Sequence, residues 1–151
     1  MDFDISVAIR RPPGVVFAAL ADIQRYVDVP GSPVPEMEKV PAGPTVVGTR
    51  WREVVRLAPH ITMTIWSEVT AIEPDRLLAE AFHGPWMRGT LRYTIGPTPT
   101  GCVVRQEQTI TPLGPLRLVS RGMDRMFRPR VAARLESIRD GLERNRSESA
   151  A

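Results

Sequence analysis

The chain is poor in the residue types from which metal centres and disulfide bonds are built. Among its 151 residues it has one cysteine, Cys102, and two histidines, His60 and His83. A single cysteine cannot form an internal disulfide, and these three residues are too few for a cysteine- or histidine-based zinc site. We therefore expect no metal ion and no other cofactor.

Long apolar runs are also missing from the sequence. None approaches the ~18 residues that a membrane-spanning helix needs. The first residues, MDFD, are acidic where a secretory signal peptide would be basic. The sequence thus predicts a soluble cytoplasmic protein with no stable insertion into a membrane.

Lysine is nearly absent, because Lys39 is the only lysine among 20 basic residues. Against 17 acidic residues these give a net charge of +3. The sequence contains neither the interleaved aromatic residues of a single-strand binder nor a recognition-helix motif, so we expect no nucleic-acid partner. The arginines at 117, 121, 125 and 128 are interpreted as a solvated helix face, with an anionic partner or membrane surface as the alternative.

Hydrophobic residues make up 42% of the chain, which at this length suits one domain with a real core. The 15 prolines and 11 glycines predict many turns. We expect a single domain over 1–146, followed by a flexible tail at 147–151. The oligomeric state stays open.

Hydrophobic periodicity divides the chain into three parts. Residues 3–9 alternate between apolar and polar, as in a half-buried strand. Two short helices are predicted next, at about 13–21 and 23–27. Six or so strands with an antiparallel order follow between Glu36 and Thr111, separated by proline and glycine turns. After Pro112 the apolar residues recur every three or four positions, which predicts a long C-terminal helix.

This order of elements resembles the START-like helix-grip (SRPBCC) superfamily, in particular its polyketide cyclase/dehydrase-like branch. The resemblance covers nearly the whole chain and is carried by four segments, IRRPPGVVF at 9–17, VGTRWRE at 47–53, EVTAIEPDRL at 68–77 and GCVV at 101–104. It implies an α+β fold in which a curved antiparallel sheet of about seven strands wraps around the long C-terminal helix. It also implies a cavity between sheet and helix for a small apolar molecule. The fold does not settle whether a reaction is catalysed.

Alternation along the predicted strands selects the residues that face such a cavity. Most of the inward positions are apolar, and a few polar residues interrupt them. Three further candidates come from the apolar face of the long helix, where methionine adapts its shape to varied ligands. The predicted ligand-binding residues are Trp51, Glu53, Val55, Met63, Ile65, Leu91, Tyr93, Gln106, Gln108, Met123, Met126 and Phe127.

Glu53 and Tyr93 are the candidates for catalysis. An inward Glu53 among apolar neighbours would have the raised pKa of a general acid or base, unless an arginine such as Arg130 or Arg134 neutralises it. Tyr93 would present its phenol to a substrate carbonyl, unless it is an ordinary core residue. Gln106 and Gln108 would bind a ligand carbonyl or bond to each other, and the methionines and Phe127 would line the cavity or simply pack the core.

The leading functional hypothesis is non-covalent binding of a small, mostly apolar ligand of the polyketide, isoprenoid, aromatic or lipid-like kind. The alternative is an enzyme of the cyclase or dehydratase type that acts on a poly-carbonyl or aromatic substrate. The sequence contains no catalytic triad, metal-ligand spacing or phosphate-binding loop that would favour the enzyme. A third hypothesis is an interaction module that uses the arginine-rich helix.

Overall fold

The computed structural model describes residues 1–22, 36–118, 120 and 122–149. The second short helix predicted at 23–27 lies outside the described residues. Seven strands form one antiparallel sheet: β1 (Asp2–Ile9), β2 (Glu36–Val40), β3 (Arg50–Ala58), β4 (Ile61–Glu73), β5 (Leu77–His83), β6 (Met87–Thr98) and β7 (Gly101–Pro112). Helix α1 (Pro13–Ala21) follows β1, a 3-10 helix (Gly114–Arg117) follows β7, and helix α2 (Met123–Ser149) is the last element described.

The strand order is β1-β7-β6-β5-β4-β3-β2, so the first strand closes one edge by pairing with the last. Strands β2 to β7 form a meander in which each strand pairs with the next along the chain. The predicted α+β helix-grip architecture is confirmed. A register shift between Val69 and Ala71 offsets β4 against β5, and such an irregularity adds bend and twist to a sheet.

The inner face of the sheet packs against α2. One row of inner residues runs Val69, Glu80, Leu91, Gln108 across β4 to β7, and a neighbouring row runs Leu78, Tyr93, Gln106. Leu135, Ile138 and Leu142 of α2 are buried in the main core with β3 to β7. A second core at the other end of the inner face joins Phe127 of α2 to five residues of β1, β4, β6 and β7, namely Phe3, Met63, Ile65, Met87 and Ile110.

Helix α2 begins later than the periodicity predicts. Leu116, which continues the apolar spacing, belongs to the 3-10 helix instead. Gly114 and Gly122 adopt left-handed φ angles of 51° and 103°, a conformation that interrupts a right-handed helix. At its other end α2 reaches Ser149, beyond position 147 where we predicted the tail to start. Within the described residues, no helix is long and apolar enough to span a membrane.

Candidate functional site

A cavity lies between the inner face of the sheet and the first turns of α2. The space open to the centre of a water-sized sphere is about 110 Å³, whereas one water needs only about 10 to 15 Å³ by this measure. The surface of its walls is largely apolar, and the polar residues come from β3, β4, β5, β7 and α2. The lining residues are Glu53, Val55, Arg56, Ile65, Ser67, Glu80, Phe82, Met87, Leu91, Gln106, Gln108, Ile110, Phe127, Arg130, Val131 and Arg134.

Glu53 is held in the cavity wall by two neighbours. The Ser67 hydroxyl on β4 donates a hydrogen bond of 3.0 Å to Glu53 Oε1. Arg134 Nη1 on α2 lies 3.9 Å from Glu53 Oε2, and the two side chains are 28% and 14% exposed. Glu53 therefore points inward beside an arginine of the helix, which is the second of the two arrangements that the sequence left open.

Glu80 is the second carboxyl group of the site, and it is not among the residues predicted from the sequence. Its position between Leu78 and Phe82 on β5 places it on the inner face, and the residue is 8% exposed. None of the described residues donates a hydrogen bond to its carboxylate or forms an ion pair with it. Burial raises the pKa of Glu80 to about 7; the negative charge of Glu53 adds to the rise, and Arg134 opposes it. Glu80 thus changes its protonation near neutral pH inside the cavity.

Tyr93 lies on β6, near enough to Arg134, Glu80 and Glu53 for their charges to affect its pKa. It is 2% exposed and packs in the main core rather than in the cavity wall. Burial raises the pKa of Tyr93 to about 12, with Arg134 opposing and Glu80 and Glu53 adding to the rise. The phenol accordingly keeps its proton at neutral pH.

Arg134 balances the two carboxyl groups. Burial alone would lower the pKa of Arg134, but the nearby Glu53, Tyr93 and Glu80 raise it above its ordinary value. The guanidinium is therefore a fixed positive charge between two acidic groups. Arg130, one turn earlier on α2, also lines the cavity and has no ion pair among the described residues.

Gln106 and Gln108 form a polar strip along β7. The Gln106 side-chain amide donates a hydrogen bond of 3.1 Å to Gln108 Oε1. Gln106 is 2% exposed, and its own Oε1 has no hydrogen-bond partner. A buried acceptor without a partner is unfavourable, so a hydrogen-bond donor on a ligand would stabilise this site.

The structure brings seven of the predicted binding residues together in the cavity wall. These are Glu53, Val55, Ile65, Leu91, Gln106, Gln108 and Phe127. Trp51, Met63 and Tyr93 share the inner face but are packed in the two cores. The side chains of Met123 and Met126 lie outside what the structure describes. Glu80, Arg130 and Arg134 complete the polar part of the wall.

A family model described as polyketide cyclase / dehydrase and lipid transport matches residues 1–143. No curated protein sequence matches the chain.

Several solved structures share the fold. An uncharacterized protein of Rhizobium leguminosarum is similar with a TM-score of 0.75 at 14% identity, covering 95% of both chains. A protein of Thermus thermophilus has a TM-score of 0.73 at 18% identity, covering 93% of this chain and 95% of its own. The di-domain ARO/CYC StfQ from the steffimycin biosynthetic pathway has a TM-score of 0.76 at 12% identity, where 97% of this chain matches 51% of that one. At these identities the likeness shows the fold alone.

Proposed function

Since the chain belongs to the polyketide cyclase/dehydrase and lipid transport family, we propose that it binds a small, mostly apolar organic ligand in the cavity between the sheet and α2. The observation that carries this proposal is a cavity wall with a largely apolar surface that contains the buried, unpartnered amide oxygen of Gln106 and the buried carboxyl group of Glu80. Apolar walls with a few placed polar groups are typical of small-molecule sites.

The polar groups of the cavity wall predict which hydrogen-bonding groups the ligand should carry. A neutral Glu80 donates a hydrogen bond to a ligand carbonyl, and Gln106 Oε1 accepts one from a ligand hydroxyl or amine. Arg130 is a further donor without an ion pair among the described residues. The volume favours a compact ligand, or the end of a longer one, over a long chain that is enclosed along its whole length.

Binding of a neutral fluorescent probe, N-phenyl-naphthylamine, tests the proposal. We expect saturable binding of one probe per chain and a rise in melting temperature with probe concentration, because the probe binds only the folded state. Val131→Phe places a larger side chain in the cavity wall and should weaken binding by about tenfold or more. Fluorescence titration measures both affinities.

Val103→Phe is the matched control for this experiment. Val103 lies on β7 with its side chain on the outer face and is 36% exposed, so the same substitution there should leave the affinity unchanged. A folded protein without saturable binding would contradict the proposed function. Equal affinities for the wild type and Val131→Phe would place the probe outside this cavity.

The alternative function, an enzyme of the cyclase or dehydratase type, is favoured by one observation. Glu80 titrates near neutral pH and shares its surroundings with the neutral phenol of Tyr93 and the charge of Arg134, as proton transfer to or from a bound carbonyl compound requires. The likeness to StfQ extends over nearly the whole of this chain and is consistent with this function.

Glu80→Gln distinguishes the enzyme from the binder. The amide keeps the shape and a hydrogen-bond donor but cannot exchange a proton at neutral pH. If Glu80 transfers a proton, turnover of a poly-carbonyl or aromatic substrate should fall by about 100-fold or more while probe affinity stays at the wild-type value. Turnover that persists unchanged in this variant would exclude Glu80 from the chemistry.

A further inference from the structure

Six arginines without ion pairs gather at one end of the molecule, which we call the basic end: Arg56, Arg88, Arg117, Arg125, Arg128 and Arg130. Among the described residues, the arginines that do form ion pairs are at positions 10, 50, 52, 76, 105, 134 and 139. Between 113 and 134 the sequence has a single carboxylate, Asp124. The positive charge of the basic end is therefore largely uncompensated.

The antiparallel topology places these arginines together. Strands β3, β5 and β7 end at this end of the sheet, and β4 and β6 begin there. The 3-10 helix follows β7 directly, and Phe127 fixes the start of α2 against Met63 and Met87. The surface at this end of the sheet thus carries arginines from β3, β6, the 3-10 helix and α2.

Exposed apolar side chains lie at the same end of the sheet as these arginines. Leu118, just after the 3-10 helix, is 88% exposed. Ile61 at the start of β4 is 48% exposed, and Trp86 in the turn from β5 to β6 is 36% exposed. The carbonyl of Trp86 accepts a hydrogen bond from the Leu113 backbone N–H, so the turn with Trp86 and the segment with Leu118 are neighbours.

The cavity reaches the surface at the same end. Arg56 is exposed and also lines the cavity, and Arg130 lines it from the side of α2. A ligand that enters beside Arg56 therefore passes through the basic end.

We propose that the basic end docks on an anionic membrane surface. Arginines attract the negative surface potential, their apolar stems and a tryptophan suit the headgroup region, and a protruding leucine reaches the acyl chains. An acidic protein or a nucleic acid would also attract the arginines, but neither accounts for exposed apolar side chains at the same end of the molecule. The docking is peripheral, and it does not depend on which ligand the cavity holds.

Cosedimentation with vesicles tests the proposal. We expect binding to phosphatidylcholine vesicles that contain about one-third phosphatidylserine, and little binding to phosphatidylcholine alone. Raising the salt from about 0.1 M to about 1 M should abolish most of the binding, because the screening length falls from about 10 Å to about 3 Å.

Two variants locate the surface, and each has a matched control at the opposite end of the sheet. Arg117→Gln with Arg125→Gln should weaken binding by about fivefold per arginine, whereas Arg76→Gln with Arg144→Gln removes the same charge and should have little effect. Leu118→Asp should weaken binding by about tenfold. Val47→Asp, at a valine that is 57% exposed, should not.

Three results would overturn the proposal. The first is equal binding to neutral and anionic vesicles. The second is an equal loss of vesicle binding in the double variant at Arg117 and Arg125 and in its control at Arg76 and Arg144. The third is tight binding to soluble polyglutamate that Leu118→Asp leaves unchanged, without binding to anionic vesicles. That last result would assign the basic end to an acidic protein.

Discussion

Replacing Glu80 by glutamine should stabilise the protein at about pH 8 by roughly 3 kcal/mol. The pKa of this buried carboxyl is about 7, whereas its ordinary value is 4.5. In the unfolded chain Glu80 ionises as the pH rises through 4.5, while in the folded protein it stays neutral until about 7. The wild type therefore loses stability over this interval, and the neutral glutamine does not.

Urea unfolding of both proteins at about pH 4.5 and about pH 8 measures the difference. The gap in free energy of unfolding between variant and wild type should be small at the lower pH and widen as the pH rises. Glu53→Gln is the control, because its amide oxygen can still accept the hydrogen bond from Ser67 while the negative charge beside Arg134 is lost. It should destabilise the protein by about 1 to 2 kcal/mol. A gap for Glu80→Gln that does not change with pH would show that Glu80 keeps an ordinary pKa.

Replacing Arg134 by methionine should destabilise the protein by about 2 to 4 kcal/mol at about pH 8. The variant leaves Glu53 and Glu80 facing each other without a compensating charge, and since Arg134 lowers the pKa of Glu80, that pKa should rise further. At about pH 5 Glu80 is neutral in the folded protein, so the loss should be smaller there. The range is below that of a fully buried pair because the Arg134 side chain is 28% exposed.

Two further variants separate charge from side-chain volume. Arg130→Met makes the same substitution in the same cavity wall at an arginine without an ion pair among the described residues, and it should change stability by less than about 1 kcal/mol. Combining Glu53→Gln with Arg134→Met removes both charges and should restore part of the loss. If Arg134→Met and Arg130→Met destabilise the protein equally, the loss of stability comes from side-chain packing and not from charge.

The face of each strand could be predicted from the sequence, but the depth of a residue on that face could not. The alternation Trp51, Glu53, Val55 correctly predicted three inner residues, yet Trp51 is 1% exposed in the main core while Glu53 lines the cavity. Position along the strand relative to α2 makes this difference. That position depends on how the helix is seated, which periodicity does not record.

The inner position of Glu80 could have been predicted from the alternation along β5. The segment LLAEAFH alternates, and its inner positions Leu78, Glu80 and Phe82 follow from the same rule that selected Glu53. Its neutral state near pH 7 could not have been predicted from the pattern, because it depends on burial and on charges brought in by β3 and α2. The start of α2 was missed for a local reason, since the apolar spacing continues through Leu116 although Gly114 and Gly122 interrupt the helix.

The pairing of β1 with β7 has a consequence for the order in which the molecule assembles. Asp2 and Thr109, which are bonded across these strands, are 107 positions apart in the chain, so this edge of the sheet closes only after a very long loop has formed. During synthesis β2 to β6 can pair with their neighbours as they emerge, while Phe3 and Ile9 wait without a partner strand. The cavity needs β7 and then α2, so its walls are completed only after all the earlier strands have been made.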